Sequence, residues 1–93
     1  LDAEGEYAVV EHLSDNNAKA HESRKAEFTD GLITGAVNGS YRIYEDYKFE
    51  LIVDEVIYDG VIIKQYDWER ECEVMAFTVM SEDGACIWGS TQL

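Results

Sequence analysis

The sequence predicts an α+β fold in which an N-terminal helical region precedes a five-stranded antiparallel meander sheet. The first 30 residues combine Ala, Glu, Lys and Arg with no glycine after Gly5, a composition that suits helix. From Gly31 onward, apolar residues alternate and Asx-Gly turn signals separate them. A small closed β-barrel is the alternative architecture. In either case residues 1–93 are expected to form a single domain.

The N-terminal region contains two candidate helical segments. In the first segment, Tyr7, Val10 and Leu13 recur at helical spacing. Tyr7, Val9 and Leu13 also share the parity of a strand, so an extended conformation stays open for this segment. The second segment runs from about residue 16 to residue 28 and has a poor apolar stripe. Despite these two points, the helix-favouring composition of the region leads us to expect helix in both segments.

Three turns are predicted in the strand-rich remainder. Asn38–Gly39 and Asp59–Gly60 are Asx-Gly pairs, which suit the positive φ angles of a type I′ hairpin turn. A third turn is predicted at Ser81–Gly84, where Met80 would lie opposite Ala85. Between the first two turns the pattern predicts one long strand, or two strands with a kink at Glu45–Asp46.

The chain is strongly acidic, with 20 Asp and Glu residues against 7 Lys and Arg residues and a net charge of −13. Such a surface repels phosphate groups, so direct binding to nucleic acid or to anionic membranes is disfavoured. A basic protein or a cation would be the natural counterpart. Solubility or halotolerance is the simplest explanation, because net charge concerns solubility and association and not the fold.

Four carboxylates occupy alternate positions from residue 67 to residue 73. If this run is a strand, the carboxylates share one face with a spacing of about 7 Å. Such a row could contact a basic protein, or occupy a nucleic-acid-binding groove as a nucleic-acid mimic. A mobile-element accessory protein, a class that often has this size and charge, is a further possibility for such an interaction protein. A solvated edge strand, charged to prevent edge-to-edge pairing, is the alternative. The predicted partner-binding residues are Asp67, Glu69, Glu71, Glu73, Glu82 and Asp83.

Both faces of the predicted hairpins are apolar, whereas a sheet with one solvated face alternates. One helical region can cover only one of these faces. Barrel curvature, the other helical segment or a second subunit would then have to cover the other face. The predicted homo-oligomer interface consists of Val56, Tyr58, Val61, Ile63, Met75 and Phe77.

The sequence contains no motif for a cofactor or a metal, and no catalytic residue is predicted. His12 and His21 are nine residues apart and do not share a helical face. Cys72 and Cys86 lie on opposite faces in the predicted register, so no disulfide is expected between them. The alternative function is a small-molecule-binding domain or compact enzyme, with a histidine reaching into a pocket lined by Tyr41, Tyr47, Phe49 and Trp88.

The sequence therefore favours a non-catalytic acidic interaction protein that binds a basic protein or assembles with itself. No apolar run approaches the ~20 residues of a membrane-spanning helix, and no basic and apolar signal segment is expected at the start. With only two cysteines and no predicted disulfide, a cytoplasmic location is expected.

Overall fold

The computed structural model describes residues 2–12 and 23–91, and the strands in this part of the chain form a closed antiparallel barrel. Each strand pairs with the next in chain order, and the last strand pairs with the first. A 3₁₀ turn, Glu45–Tyr47, separates the fourth strand from the fifth. The strands are β1 (Gly5–His12), β2 (Arg24–Thr29), β3 (Leu32–Gly35), β4 (Gly39–Ile43), β5 (Lys48–Val53), β6 (Val56–Asp67), β7 (Cys72–Met80) and β8 (Cys86–Thr91). This is an up-and-down barrel.

The α+β prediction is wrong, and so is the five-stranded meander. The first predicted helix is strand β1. Its residues Tyr7 and Val9 point into the barrel and are 0% and 2% exposed. Residues 13–22 lie outside the described residues, and they include Leu13 of the first predicted helix and residues 16–22 of the second. The end of that segment is strand β2, with Ala26 and Phe28 buried. Apolar residues at alternate positions pack inward only in a strand, which decides the conformation here.

Two of the three predicted turns are wrong. Ile33 pairs with Gly39, so Gly39 already belongs to a strand and the chain reverses before it. Asp59–Gly60 lies within the 12-residue strand β6. The hairpin between β5 and β6 turns instead at Asp54–Glu55, whose φ angles are 51° and 66°. These are the positive φ angles of a type I′ turn, formed without glycine.

Gly60 belongs to a strand because the barrel needs a close approach of two backbones at this point. A Cβ atom on Gly60 would lie 1.9 Å from the carbonyl oxygen of Thr78. Glycine is the residue that permits such contacts inside a strand. The third predicted turn, Ser81–Gly84, does lie between β7 and β8. Its register is shifted by one residue, because Met80 pairs with Cys86.

The barrel interior is filled by aromatic rings and aliphatic side chains. Tyr7 lies 4.4 Å from Phe28 and 5.5 Å from Phe77, measured between ring centroids. Phe49 continues the cluster, 5.4 Å from Phe77. Pairs at these distances add to the stabilisation from burial itself. The aliphatic part of the core includes Val9, Ile33, Leu51, Ile62, Val79 and Ile87.

None of the described residues belongs to a helix long and apolar enough to cross a membrane.

Candidate functional site

The predicted row of carboxylates is not a strand. Strand β6 ends at Asp67, residues 68–71 form a turn, and β7 begins at Cys72. The Asp67 carboxylate accepts hydrogen bonds from the backbone N–H groups of Glu69 (3.0 Å) and Arg70 (3.3 Å). The Arg70 guanidinium also lies 3.6 Å from Asp67. An Asp that accepts backbone hydrogen bonds two and three residues ahead is typical of a turn, and this capping overrides the strand pattern.

The remaining predicted partner-binding residues do not form one surface with that row. Glu82 and Asp83 lie in the turn between β7 and β8, at the opposite end of strand β7 from Glu73. Both are exposed and line a shallow depression with Val56 and Met80. Whether any of these carboxylates contacts a partner stays a prediction.

The predicted oligomer interface divides between the inside and the outside of the barrel. Tyr58, Met75 and Phe77 belong to the core and are between 3% and 9% exposed, so they cannot form an interface. Val56, Val61 and Ile63 point outward and are exposed. Closure of the sheet explains this division, because it gives the second apolar face an interior to fill. A homo-oligomer through the outward residues stays a prediction.

The predicted aromatic pocket does not assemble either. Phe49 is in the core and Tyr41 packs against it, whereas Tyr47 is exposed on the 3₁₀ turn. Trp88 lies on β8, outside the core cluster, and His12 is the last residue of β1. His21 lies outside the described residues. Among residues 2–12 and 23–91, no cluster of three or more His, Cys, Asp and Glu side chains could hold a metal ion.

A cleft of about 660 Å³ lies on the outer surface where β4, β5 and β6 adjoin the 3₁₀ turn. We call it the Tyr44 cleft. Strand register explains its composition, because Arg42 lies opposite Glu50 and Glu50 lies opposite Asp59 across three neighbouring strands. The sequence did not predict this juxtaposition, since it placed Asp59 in a turn. The cleft is lined by Tyr44, Glu45, Lys48, Phe49, Glu50, Asp59 and Gly60.

The Tyr44 ring is the exposed aromatic surface of this cleft, with 41% of the residue accessible to solvent. The Arg42 guanidinium lies 5.3 Å from the ring centroid, a cation–π distance. Arg42 also donates a hydrogen bond of 3.2 Å to the Tyr44 hydroxyl. The Tyr44 N–H donates to the Lys48 carbonyl at 2.8 Å. Side chain and backbone are therefore both held in place.

An apolar groove of about 460 Å³ lies on the outer surface of β1, β6, β7 and β8. Val61 and Ile63 are its most exposed apolar residues, at 50% and 42%. They face outward because they alternate with the buried Ile62 along β6. The sequence indicated this surface through the apolar residues on both faces of the hairpin. We call it the outer groove; it is lined in part by Ala8, Val10, Val61, Ile63, Ala76 and Trp88.

A pair of exposed aromatic residues lies where β6 meets its turn. Trp68 is 82% exposed, and its ring centroid lies 4.6 Å from that of Tyr66. The pair is on the turn that Asp67 and Arg70 stabilise. Such exposure is unlike a small-molecule site, which buries most of its ligand in a concave pocket.

Three carboxylates lie close enough to the partly buried Tyr41 to affect its phenol. Burial raises the pKa of Tyr41, and the Glu4, Asp2 and Asp30 carboxylates raise it further against the lowering effect of a hydrogen bond with Gly31. The Glu4 carboxylate is held in place, because it accepts a hydrogen bond of 3.0 Å from the Asp30 N–H. Both effects keep the phenol neutral.

The sequence and the fold match a known domain family. A family model, GH43_C, described as a C-terminal lipocalin-like domain, matches residues 2–89. The chain belongs to the GH43_C family. A relative of this GH43_C chain, the extracellular endo-α-(1→5)-L-arabinanase of Thermotoga petrophila, is 34% identical over 89 residues. Extracellular endo-α-(1→5)-L-arabinanase 2 of Bacillus subtilis is 28% identical over 90 residues.

Solved structures share the GH43_C barrel. The glycoside hydrolase family 43 protein YxiA from Bacillus licheniformis matches 97% of this chain with a TM-score of 0.86 and 38% identity. The endo-1,5-α-L-arabinanase of Thermotoga petrophila matches 97% with a TM-score of 0.84 and 32% identity. The GH43_C chain spans only 21% of each of these two structures and 19% of each curated relative.

The family match overturns the prediction of an acidic interaction protein, in its nucleic-acid-mimic and mobile-element forms alike. The GH43_C chain matches, from residue 2 to residue 89, a domain found in glycoside hydrolases. Net charge misled the prediction, because many folds and functions tolerate an acidic surface. The cytoplasmic location has no support, since both curated relatives are named as extracellular proteins.

Proposed function

We propose that this chain is a non-catalytic accessory domain of a longer, extracellular glycoside hydrolase that degrades α-1,5-linked arabinan. One observation carries the proposal. The Thermotoga petrophila arabinanase matches 91% of this chain, but the match occupies only 19% of that enzyme. Both curated relatives are named as extracellular arabinanases, and the chain spans the same share of each.

The arrangement of carboxylates favours an accessory role over catalysis. Glycosidases place two carboxyl groups on either side of the bond that is broken. In the Tyr44 cleft, Glu50 and Asp59 are cross-strand neighbours on one sheet surface. Cross-strand neighbours point the same way, so both would approach a sugar from the same side. The barrel interior, filled by the rings of Tyr7, Phe28 and Phe77, leaves no room for a substrate among them.

The outer groove would attach the barrel to the remainder of the enzyme. An accessory domain has to bury part of its surface against the rest of the polypeptide, and such surfaces are usually apolar at their centre. Val61 and Ile63 of β6 supply exposed apolar surface, and Val10 and Trp88, which pair across β1 and β8, line the same groove. We infer that the catalytic part of the same polypeptide covers this groove.

The first test is to express the complete reading frame that contains this chain and to assay it on linear arabinan. We expect a secreted protein about five times as long as the chain, as the 19% share of the relatives implies. It should release reducing ends from linear arabinan, and the 93-residue chain alone should release none. Hydrolysis by the chain alone would contradict the accessory role. Activity of the complete protein on a different polysaccharide only would contradict the arabinanase assignment.

The second test addresses the outer groove in that complete protein. Ile63→Asp should lower its melting temperature by about 3 °C or more, because a charge would be buried against the catalytic part. Ile57→Asp is the matched control, since Ile57 is 54% exposed on the same strand but lies outside the groove. Equal effects of the two substitutions would remove the support for docking through this surface.

A further inference from the structure

We propose that the Tyr44 cleft is a saccharide-binding site that holds a short neutral arabino-oligosaccharide on the barrel surface. This inference rests on the proposed function, which supplies the polysaccharide. It goes further by giving the accessory domain its own contact with the polymer. Three properties of the cleft carry it: an aromatic platform, a wall of hydrogen-bond acceptors, and a rigid floor.

The platform is the Tyr44 ring. Sugar rings expose C–H groups on their faces, and these pack against the electron-rich face of an aromatic ring. Tyr44 is exposed into the cleft, while Arg42 fixes it through a hydrogen bond of 3.2 Å. A ring held in this way loses little side-chain entropy when a ligand binds. It can therefore contribute more of its contact energy to affinity.

The acceptor wall is formed by Glu50 and Asp59, which lie side by side across β5 and β6. Carboxylates accept hydrogen bonds from hydroxyl groups, and such charge-assisted bonds are stronger than neutral ones. Neighbouring hydroxyl groups of a furanose ring could donate to adjacent carboxylates. Lys48 supplies a donor to the same cleft. Aromatic contact combined with a few polar groups is the usual composition of a small-molecule site.

The floor is formed by Phe49 and Gly60, which are paired in register. Phe49 is 1% exposed and packs in the aromatic core, so it cannot move into the cleft without disrupting the barrel. Gly60 has no side chain, and the close approach of Thr78 on the other side prevents it from acquiring one. Gly60 is therefore fixed by strand packing and presents only backbone to the cleft.

The charge of the cleft selects the class of sugar. Glu45, Glu50 and Asp59 outnumber Lys48 and the adjoining Arg42, so the cleft carries a small excess of negative charge. Like charges at short range repel, which disfavours uronic acids such as the galacturonate units of pectin. A neutral pentose chain meets no such repulsion. We infer that the cleft discriminates arabinan from acidic polysaccharides.

The test is isothermal titration of the 93-residue chain with linear arabino-oligosaccharides of three to six units. Tyr44→Ala should weaken the association constant about tenfold, since stacking accounts for much of the affinity. Tyr44→Phe keeps the ring and should stay within about threefold of the parent. The matched control is Tyr47→Ala, because Tyr47 is an exposed aromatic residue on the adjacent 3₁₀ turn that does not line the cleft. Glu50→Gln should weaken binding by about threefold to tenfold.

Several outcomes would overturn the site. The parent chain could fail to bind arabino-oligosaccharides, or Tyr44→Ala could bind as the parent does. Tri-galacturonate binding equal to that of the neutral sugar would contradict the charge argument. Calcium binding in a parallel titration, without sugar binding, would show that the carboxylates serve a cation.

Failure of this site and failure of the proposed function give different results. If the complete protein hydrolyses arabinan while the chain binds no sugar, only the saccharide site is wrong. If the chain binds arabino-oligosaccharides through Tyr44 while the complete protein does not hydrolyse arabinan, the saccharide site stands and only the hydrolase assignment is wrong.

Discussion

The hydroxyl of Tyr7 donates a 2.7 Å hydrogen bond to the backbone carbonyl of Ala3, and both residues are 2% exposed or less. Tyr7 lies on β1, and Ala3 belongs to the segment that precedes this strand. The bond therefore fastens the segment before β1 to the aromatic core. Without it, the buried Ala3 carbonyl would lose its hydrogen bond from Tyr7, and an unpaired buried acceptor lowers the free energy of unfolding.

Tyr7→Phe should lower the free energy of unfolding by about 1–2 kcal/mol, the cost of leaving a buried carbonyl without its partner. Urea denaturation of the two proteins measures this difference. Tyr66→Phe is the control, because Tyr66 is exposed, and it should change stability by less than about 0.5 kcal/mol. Equal stability of Tyr7→Phe and the parent would show that water replaces the lost bond.

Alkaline pH should destabilise the barrel through its buried tyrosines. Burial and nearby negative groups raise the pKa of Tyr7, Tyr41 and Tyr58 above the ordinary value of 10.0. Below pH 10 these phenols are protonated in both the folded and the unfolded chain. Above it, the unfolded chain releases its protons first, so the free energy of unfolding falls as pH rises. Urea midpoints measured from pH 8 to pH 11 should decline above pH 10, and less steeply in Tyr7→Phe.

Two adjacent isoleucines in β6 should respond differently to truncation. Ile62 is 0% exposed and Ile63 is 42% exposed. Ile62→Ala should cost about 2–5 kcal/mol of stability because it leaves a cavity in the core. Ile63→Ala should change the stability of the isolated chain by less than about 0.5 kcal/mol. Similar losses for both, measured by urea denaturation, would contradict the inward and outward assignment of this strand.

Replacing Asp54–Glu55 with Asn–Gly should stabilise the chain by about 1 kcal/mol. Both native residues adopt positive φ, a conformation that strains residues with a Cβ atom. Asn–Gly is the dipeptide that a type I′ turn favours. The change should appear as a higher urea midpoint with an unchanged slope. A lower midpoint would mean that contacts of the native side chains outweigh the strain.

The strand-rich region after Gly31 and the turn at Ser81–Gly84 could be predicted from local pattern, because alternation and turn residues act over a few positions. The Asp54–Glu55 turn could not, since neither residue is glycine. Gly60 was misassigned because its role depends on Thr78, which lies on another strand. A glycine that marks a turn and a glycine that permits backbone contact look the same in sequence.

The candidate site was harder to predict than the fold. Phe49 was predicted to line a pocket and does form the floor of the Tyr44 cleft. Tyr44, Glu50 and Asp59 were missed, because Glu50 and Asp59 meet only through the register of β5 with β6, and Tyr44 joins them from the turn that follows β4. A one-residue error in register moves a side chain to the opposite face. The apolar character of both hairpin faces was the one long-range signal that the sequence did carry.

Pairing of β1 with β8 joins residues from nearly opposite ends of the described chain, such as Val10 and Trp88. Contacts between residues so far apart in sequence slow folding, because the entropy of a long loop is lost before they form. A nascent chain that lacks β8 leaves both β1 and β7 with an unsatisfied backbone, ready to recruit a neighbouring molecule. Once β8 has paired with β1 and β7, the ring of backbone hydrogen bonds is complete. These two strands then leave no unpaired edge to which a strand of another molecule could add.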